Sequence, residues 1–535
     1  VTSEHRIHGP PGTGKTTTLA TWVHDAAARF GPERVLVSSF TRAAAAELHQ
    51  RGLDVPRENV GTLHSICYHA LGRPALTEDH LDEWNEYAPW LALSAGRKPE
   101  DDAVQPRESP TDADATYQLV QRLRGMTLPV ERWPQHAQDF WREWYCFKFT
   151  RGLLDFSDLI EQAARRFQSA PRDFAVGFFD EAQDLAPLEL ALVRQWSESM
   201  EFVVLVGDAD QCIYEWAGCS PRAFLEPPIP AEHNRVLGQS HRVPRAVHAV
   251  ARRVIERCSY RFPSEYLPRD AGGEVSHVEP MRAGAYWLPQ FVESQAGTTM
   301  VLATCAYMLG PALRALRDAG MPFHNPYRKT NGAWNPMRGG VERLRALLVA
   351  DRRAVGDAAR TWTWTELHRW VDWVDADHLK HGAKTWAAQK AKAREAKDEV
   401  VTNDEVNALL PEETLRSLIC ALNDGDPCAW LREHALASHA AQLDYGCAVS
   451  RARGTTAMFQ PPRVIVGTVH SVKGAEADAV VLAPDLSRQA HERWLSSAED
   501  RDAVLRVMYV GATRARESLA LCAPSSWSHA EEVFR

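Results

Sequence analysis

Short unbroken apolar runs alternate along this chain with stretches in which apolar residues recur every three or four positions. Arg34–Phe40, Phe174–Phe179, Phe202–Val206, Met300–Cys305 and Arg463–Gly467 are of the first kind. Their length and β-branched content predict strands buried on both faces. Leu19, Trp22, Val23, Ala26, Ala27 and Phe30 are of the second kind, falling on one helical face with Gly31 placed to end the helix. His378–Lys397 reads as an alanine-rich basic helix with a solvated face. Buried strands separated by helical stretches predict an α/β fold with parallel sheets.

Composition bounds this picture. With 535 residues, 45% hydrophobic and 24% charged, the chain has material for several cores, roughly three to five domains by the usual size of a folding unit. No run reaches the ~18–20 apolar residues of a membrane span, and no charged-then-apolar leader opens the sequence. A membrane protein is therefore not expected, and the reading is cytoplasmic. The ten cysteines are scattered without a CxxC pair and read as reduced thiols. The net charge of −9 argues against an all-over nucleic-acid coat but allows a local basic channel.

The strongest local signal is Gly9-Pro10-Pro11-Gly12-Thr13-Gly14-Lys15-Thr16, followed by Thr17, which fits the phosphate-loop pattern between a strand and a helix. Glycines let the backbone curl so that its N–H groups face a polyphosphate, and the following helix adds partial positive charge at its N-terminus. Lys15 is placed to reach the β and γ phosphates of ATP, and the Thr16 hydroxyl to hold Mg²⁺. Such a loop needs a carboxylate on a neighbouring strand. The strand Phe174–Phe179 runs straight into Asp180-Glu181-Ala-Gln183-Asp184, which offers Asp180 to the metal and Glu181 as acceptor of a proton from attacking water. Adjacent carboxylates alone are commonly just a solvated turn; behind a complete phosphate loop they suggest the second half of a nucleotide site.

A further strand ends in Gly207-Asp-Ala-Asp-Gln211-Cys-Ile-Tyr-Glu-Trp216-Ala-Gly218. Together with the Asp180–Asp184 segment, Thr468-Val-His470-Ser-Val-Lys-Gly474-Ala-Glu476 and Tyr509-Val-Gly-Ala-Thr-Arg514-Ala, it resembles the UvrD/Rep/PcrA-like superfamily 1 helicases, with the segments in that family's order from Gly9 to about Leu521. The resemblance implies two RecA-like lobes with ATP in the cleft between them. The first lobe would supply Lys15, Thr16, Asp180, Glu181 and Gln211. The second would supply Arg242 and Arg514 as arginine fingers, Glu476 toward the ribose, and His241 where the family usually has a base-side tyrosine. It also implies that Trp216 and Phe40 stack bases of single-stranded DNA, while Thr62, His64 and His470 contact its backbone.

On the same basis the first lobe is expected at 1–73 and 151–232 with insertion 74–150, and the second at 233–349 and 456–535 with a reduced, mostly helical insertion 350–455. The implied activity is ATP- and Mg²⁺-dependent 3′–5′ translocation on single-stranded DNA and unwinding at single-strand/duplex junctions. Repair or replication proteins are the expected partners. Two alternatives stay open: a DNA-stimulated translocase that displaces proteins without efficient unwinding, and a nucleotide-gated DNA-binding recruitment subunit.

Overall fold

The computed structural model describes all residues except 1–2, 41–44, 46–51, 95–111, 283, 327–333, 394–397, 531 and 535. The expected exposed loop within 99–110 and the last residues of the basic helix lie outside the described residues.

Two all-parallel sheets organise the chain. The first uses β1 (Ser3–His8), β2 (Val35–Ser39), β3 (Val60–Gly61), β4 (Val176–Asp180), β5 (Phe202–Gly207) and β6 (Asn234–Val236), in the order β3-β2-β4-β5-β1-β6. Because β6 pairs in register with β1, this sheet runs on to Val236. A separate pair joins β7 (Gln239–Pro244) to β8 (Leu267–Arg269). The second sheet uses β9 (Glu274–Val278), β10 (Thr299–Ala303), β11 (Phe323–His324), β12 (Val464–Thr468), β13 (Ala477–Leu482) and β14 (Ala515–Cys522), in the order β11-β12-β10-β13-β14-β9. The central strands β2, β4 and β10 are buried at every position, as expected where helices cover both faces. Leu19, Val23, Ala26 and Ala27 of the helix Lys15–Phe30 seal one face of the first sheet.

Each sheet is interrupted by a helical unit with its own core. Between β3 and β4, helices Leu81–Tyr87, Asp112–Gly125 and Gln135–Arg151 close around Trp84, Phe140, Trp144 and Phe147. Asp155 ties this unit to helix Phe156–Arg166. Fully buried, it accepts both oxygens' worth of bonds from Arg124 Nη1 (2.8 and 2.7 Å), and further bonds from Lys148 Nζ (2.6 Å) and Trp144 Nε1 (2.9 Å). It also caps helix Phe156–Arg166 through the Asp158 N–H. Two cations and a capped helix hold its carboxyl far below the usual range despite burial.

Between β11 and β12, a second helical unit packs residues from Met337 to Met458 around Trp362, Trp364, Trp370, Trp373 and Trp430. The basic helix here spans Ala383–Lys392, with Ala383 and Ala387 buried in that core. Nearby amines act as ties: Lys380 Nζ donates to the Asn407 carbonyl (2.7 Å) and Lys384 Nζ to the Asp372 carbonyl (2.9 Å). No described helix is long and apolar enough to cross a membrane.

Candidate functional site

Parallel sheets present their functional loops at the carboxyl ends of the strands. In the first sheet the phosphate loop follows β1, Phe40 follows β2, Thr62 follows β3, Asp180 ends β4, and Gly207 ends β5. Gly12 and Gly14 take positive φ (76° and 81°), a conformation other residues rarely adopt. A Cβ at Gly9 would stand 2.4 Å from Lys15 Cγ, so only glycine admits the lysine folded across the loop. Lys15 Nζ donates to the Gly9 carbonyl (2.6 Å), and Thr13 Oγ1 to the Pro10 carbonyl (2.8 Å). Pro10 and Pro11 leave their carbonyls as the groups that others bind. Thr16 and Thr17 open the helix directly behind the loop. Curled backbone, helix N-terminus, a lysine and the Thr16 hydroxyl with buried Asp180 make a donor and oxygen set suited to a Mg²⁺-bound polyphosphate.

Glu181 follows Asp180 with φ of 53°, a left-handed turn that swings its carboxylate off the strand axis. Its N–H donates to Asp180 Oδ1 (3.0 Å), and Gln183 Nε2 donates to its Oε2 (2.6 Å). Burial pushes the Glu181 carboxyl up, but Lys15, Lys473, the Gln183 bond and Arg514 outweigh it and hold it below its ordinary value. Glu181 is therefore ionised and able to accept a proton.

The second half of the site comes from residues beyond β6. His241 N–H donates to the Gly12 carbonyl (2.8 Å), and Ser240 Oγ and Tyr266 Oη both donate to the Pro11 carbonyl (2.9 and 3.1 Å). Arg242 lies directly over the loop, its Cβ only 2.4 Å from where a Gly12 Cβ would be. Its Nε donates to Glu476 Oε2 (2.6 Å), which joins two residues that the family resemblance assigns to the nucleotide. Arg514 is buried just before β14; its Nη2 donates to Gln211 Oε1 (3.2 Å), and Gln211 Nε2 donates to Asp208 Oδ2 (2.8 Å). Burial and the neighbouring Arg242 lower the Arg514 pKa to about 9, which leaves it cationic at neutral pH.

Lys473 stands within the Thr468–Glu476 segment, although the family resemblance gives it no role. Its Nζ donates to the Asp184 carboxylate and to the Gln211 carbonyl (2.7 Å), and lies 5.1 Å from the Tyr214 ring centroid. Burial works against the charged lysine, yet Asp184 and Glu181 raise its pKa. Its place in the Thr468–Glu476 segment was the available signal; the partner 289 residues away was not.

The aromatic candidates gather around Tyr214, another residue without an assigned role. Its ring centroid is 5.4 Å from Phe40, 6.1 Å from Trp216 and 5.9 Å from His470. His470 Nε2 bonds the Ile213 carbonyl (3.1 Å), and Tyr214 Oη donates to the His470 carbonyl (3.3 Å). Burial lowers the His470 pKa to about 4, so the ring is neutral at neutral pH. Thr62 and His64 have other neighbours. Thr62 caps helix Leu63–Ala70 by accepting from the Ser65 N–H (3.2 Å), and His64 Nδ1 stands 3.5 Å from Glu189 Oε1.

Two parallel α/β lobes meeting over a phosphate-loop sequence define a two-lobed fold of the RecA-like type. Residues 1–228 match the UvrD/REP helicase N-terminal domain family. The chain is 26% identical over 306 residues to the ATP-dependent DNA helicase PcrA of Leuconostoc citreum, covering 49% of this chain and 38% of that protein. It is 25% identical over 290 residues to the PcrA of Bacillus subtilis (50% and 39%), and 24% identical over 375 residues to DNA helicase II of Escherichia coli (60% and 48%). The chain thus spans less than half the length of these curated relatives. Its likeness is to the UvrD/Rep/PcrA-like helicases, carried by residues 1–228 and by these partial matches.

Proposed function

We propose that this chain is an ATP-dependent DNA helicase that moves 3′ to 5′ on single-stranded DNA. The observation that supports this reading best is the seam itself. Arg514 and Lys473 from the second lobe meet Gln211 and Asp184 from the first, beside Glu181 and the phosphate loop.

In this reading the loop backbone and Lys15 bind the phosphates of ATP. Thr16 and Asp180 hold Mg²⁺, which neutralises phosphate charge when bound. Glu181, kept ionised by its cationic neighbours, takes the proton of the attacking water. Arg242 and Arg514 stabilise charge spreading onto the terminal phosphoryl oxygens. Glu476 steers Arg242 and faces the ribose. Because the arginines belong to the opposite lobe, turnover requires a closed cleft, and chemistry is thereby coupled to lobe motion. Phe40 and Trp216 stack bases, with Thr62, His64 and His470 along the phosphates of the track. The lobes are taken to carry the two helical units as their insertions, in the cytoplasm, with single-strand/duplex junctions as substrate and repair or replication proteins as partners.

The test is ATP turnover with and without single-stranded DNA, paired with displacement assays on 3′- and 5′-tailed duplexes. Glu181→Gln is expected to abolish turnover while sparing nucleotide binding. DNA-stimulated turnover retained in that variant would remove Glu181 from the role, and unwinding of 5′-tailed duplex alone would reverse the polarity.

A further inference from the structure

Cys212 and Cys219 bracket the loop that carries Tyr214 and Trp216, and their sulfurs lie 3.2 Å apart. All ten cysteines are free thiols, and both members of this pair are buried. A carboxylate oxygen of Asp184 and the two sulfurs lie within 4.8 Å of one another, and Asp184 Oδ1 has no hydrogen-bond partner. The loop between the cysteines turns through Gly218 at φ of 105° and is held to the second lobe by the Ile213–His470 bond and by Arg506 Nη1 donating to Glu215 Oε1 (2.8 Å). Cys212, Ile213, Tyr214 and Cys219 pack in one core with second-lobe residues such as Val243, Val472 and Tyr509. The two sulfurs therefore sit in the seam between the lobes, beside the residue that precedes Cys212, Gln211, the partner of Arg514.

We propose that Cys212 and Cys219 form a peroxide-sensitive thiol pair, whose oxidation to a disulfide staples the Trp216-bearing loop. Closing the bond needs the sulfurs to approach from 3.2 Å to ~2.05 Å. Burial and the nearby Cys212 and Asp184 hold the Cys219 proton tightly, so Cys212 attacks first, as its thiolate, once the parted seam admits water: it takes one oxygen of hydrogen peroxide and becomes a sulfenic acid as the O–O bond breaks. Cys219 then gives up its proton as its sulfur attacks that of Cys212, and the sulfenic oxygen leaves as water. The thiols give up two electrons and two protons, and the peroxide is reduced to two waters. The buried sulfurs meet peroxide when the lobes part, so oxidation reports an open seam. The expected effect on turnover rests on the function proposed above; formation of the bond does not.

The experiment treats the whole chain with hydrogen peroxide, blocks remaining thiols, and digests with chymotrypsin, which cleaves after Tyr214 and Trp216. The expected result is two fragments held together through residues 212 and 219 and separated by dithiothreitol, absent in Cys219→Ala and Cys212→Ser. DNA-stimulated turnover is expected to fall several-fold on oxidation, to return with dithiothreitol, and to be peroxide-insensitive in Cys219→Ala. A pair still reduced, or oxidised to separate sulfinic acids, when exposed Cys146 and Cys420 have reacted overturns the proposal. So does one zinc ion per chain that is lost in Cys219→Ala, since the pair is then a ligand set. Absent turnover in the reduced chain with the linked fragments present would sink the helicase reading and leave the thiol pair standing.

Discussion

Arg514 donates to Gln211 across the seam, 3.2 Å from Nη2 to Oε1, and both side chains are buried. In the function proposed above, a guanidinium held this way is positioned before any substrate arrives, and its contribution is expected in the transition state rather than in binding. Arg514→Ala is expected to lower ATP turnover by about 10³-fold or more with nucleotide affinity little changed. Gln211→Ala, which leaves Arg514 present but unsteered, should cost less. Single-turnover kinetics beside equilibrium nucleotide binding checks both. Equal losses of affinity and rate in Arg514→Ala would show that this arginine merely binds.

Lys473 and Asp184 form a buried pair between the lobes, with side-chain exposures of 8% and 1%; burial pushes the Asp184 carboxyl up to about 7 even with Lys473 beside it, and the lysine keeps its charge. Removing one partner strands the other away from water. Lys473→Met is expected to destabilise the chain by about 3–5 kcal/mol, and the double variant Lys473→Met/Asp184→Asn to recover much of that loss. Denaturant midpoints measure it. A double variant no more stable than the single one would mean that Lys473 acts through packing instead of charge.

Trp216 is half-buried beside Tyr214 and His470. Trp216→Ala is expected to weaken single-stranded DNA binding by about 1–3 kcal/mol while leaving nucleotide binding unchanged. Trp216→Phe should restore part of the affinity, because a smaller ring still offers a face. Fluorescence anisotropy with a labelled oligonucleotide at fixed salt reads this directly. Unchanged DNA affinity in the alanine variant would assign Trp216 to the core.

Burial lowers His470 from 6.5 to about 4, so the unfolded chain binds this proton more readily than the folded one. Its contribution to stability is therefore complete above the unfolded value and is lost as pH falls from about 6.5 to about 4. Thermal midpoints of the wild type and His470→Gln, compared across that window, isolate the group because other titrations are shared. The wild type should lose more stability than the variant on acidification. Parallel curves would mean that His470 does not titrate on unfolding.

Runs such as Phe202–Val206 and the repeat from Leu19 to Phe30 announced their elements because neighbouring residues alone decide them: burial on two faces demands continuous apolar sequence, and one buried helical stripe demands the 3.6-residue period. The phosphate loop was equally plain, since its glycines answer to the local curl of the backbone at Gly12 and Gly14. Sequence therefore determined the α/β class, the main strands and the residue types available for chemistry. Partnership was decided only by tertiary structure. Gln211 and Arg514 are 303 positions apart, Asp184 and Lys473 are 289 apart, and Arg124 reaches Asp155 from a separate helical unit. Nothing local distinguishes these side chains from solvated ones. Folding brings them together because a charged group excluded from water must find a counter-charge or a hydrogen-bond partner, and the seam and the insertion base are where water is excluded.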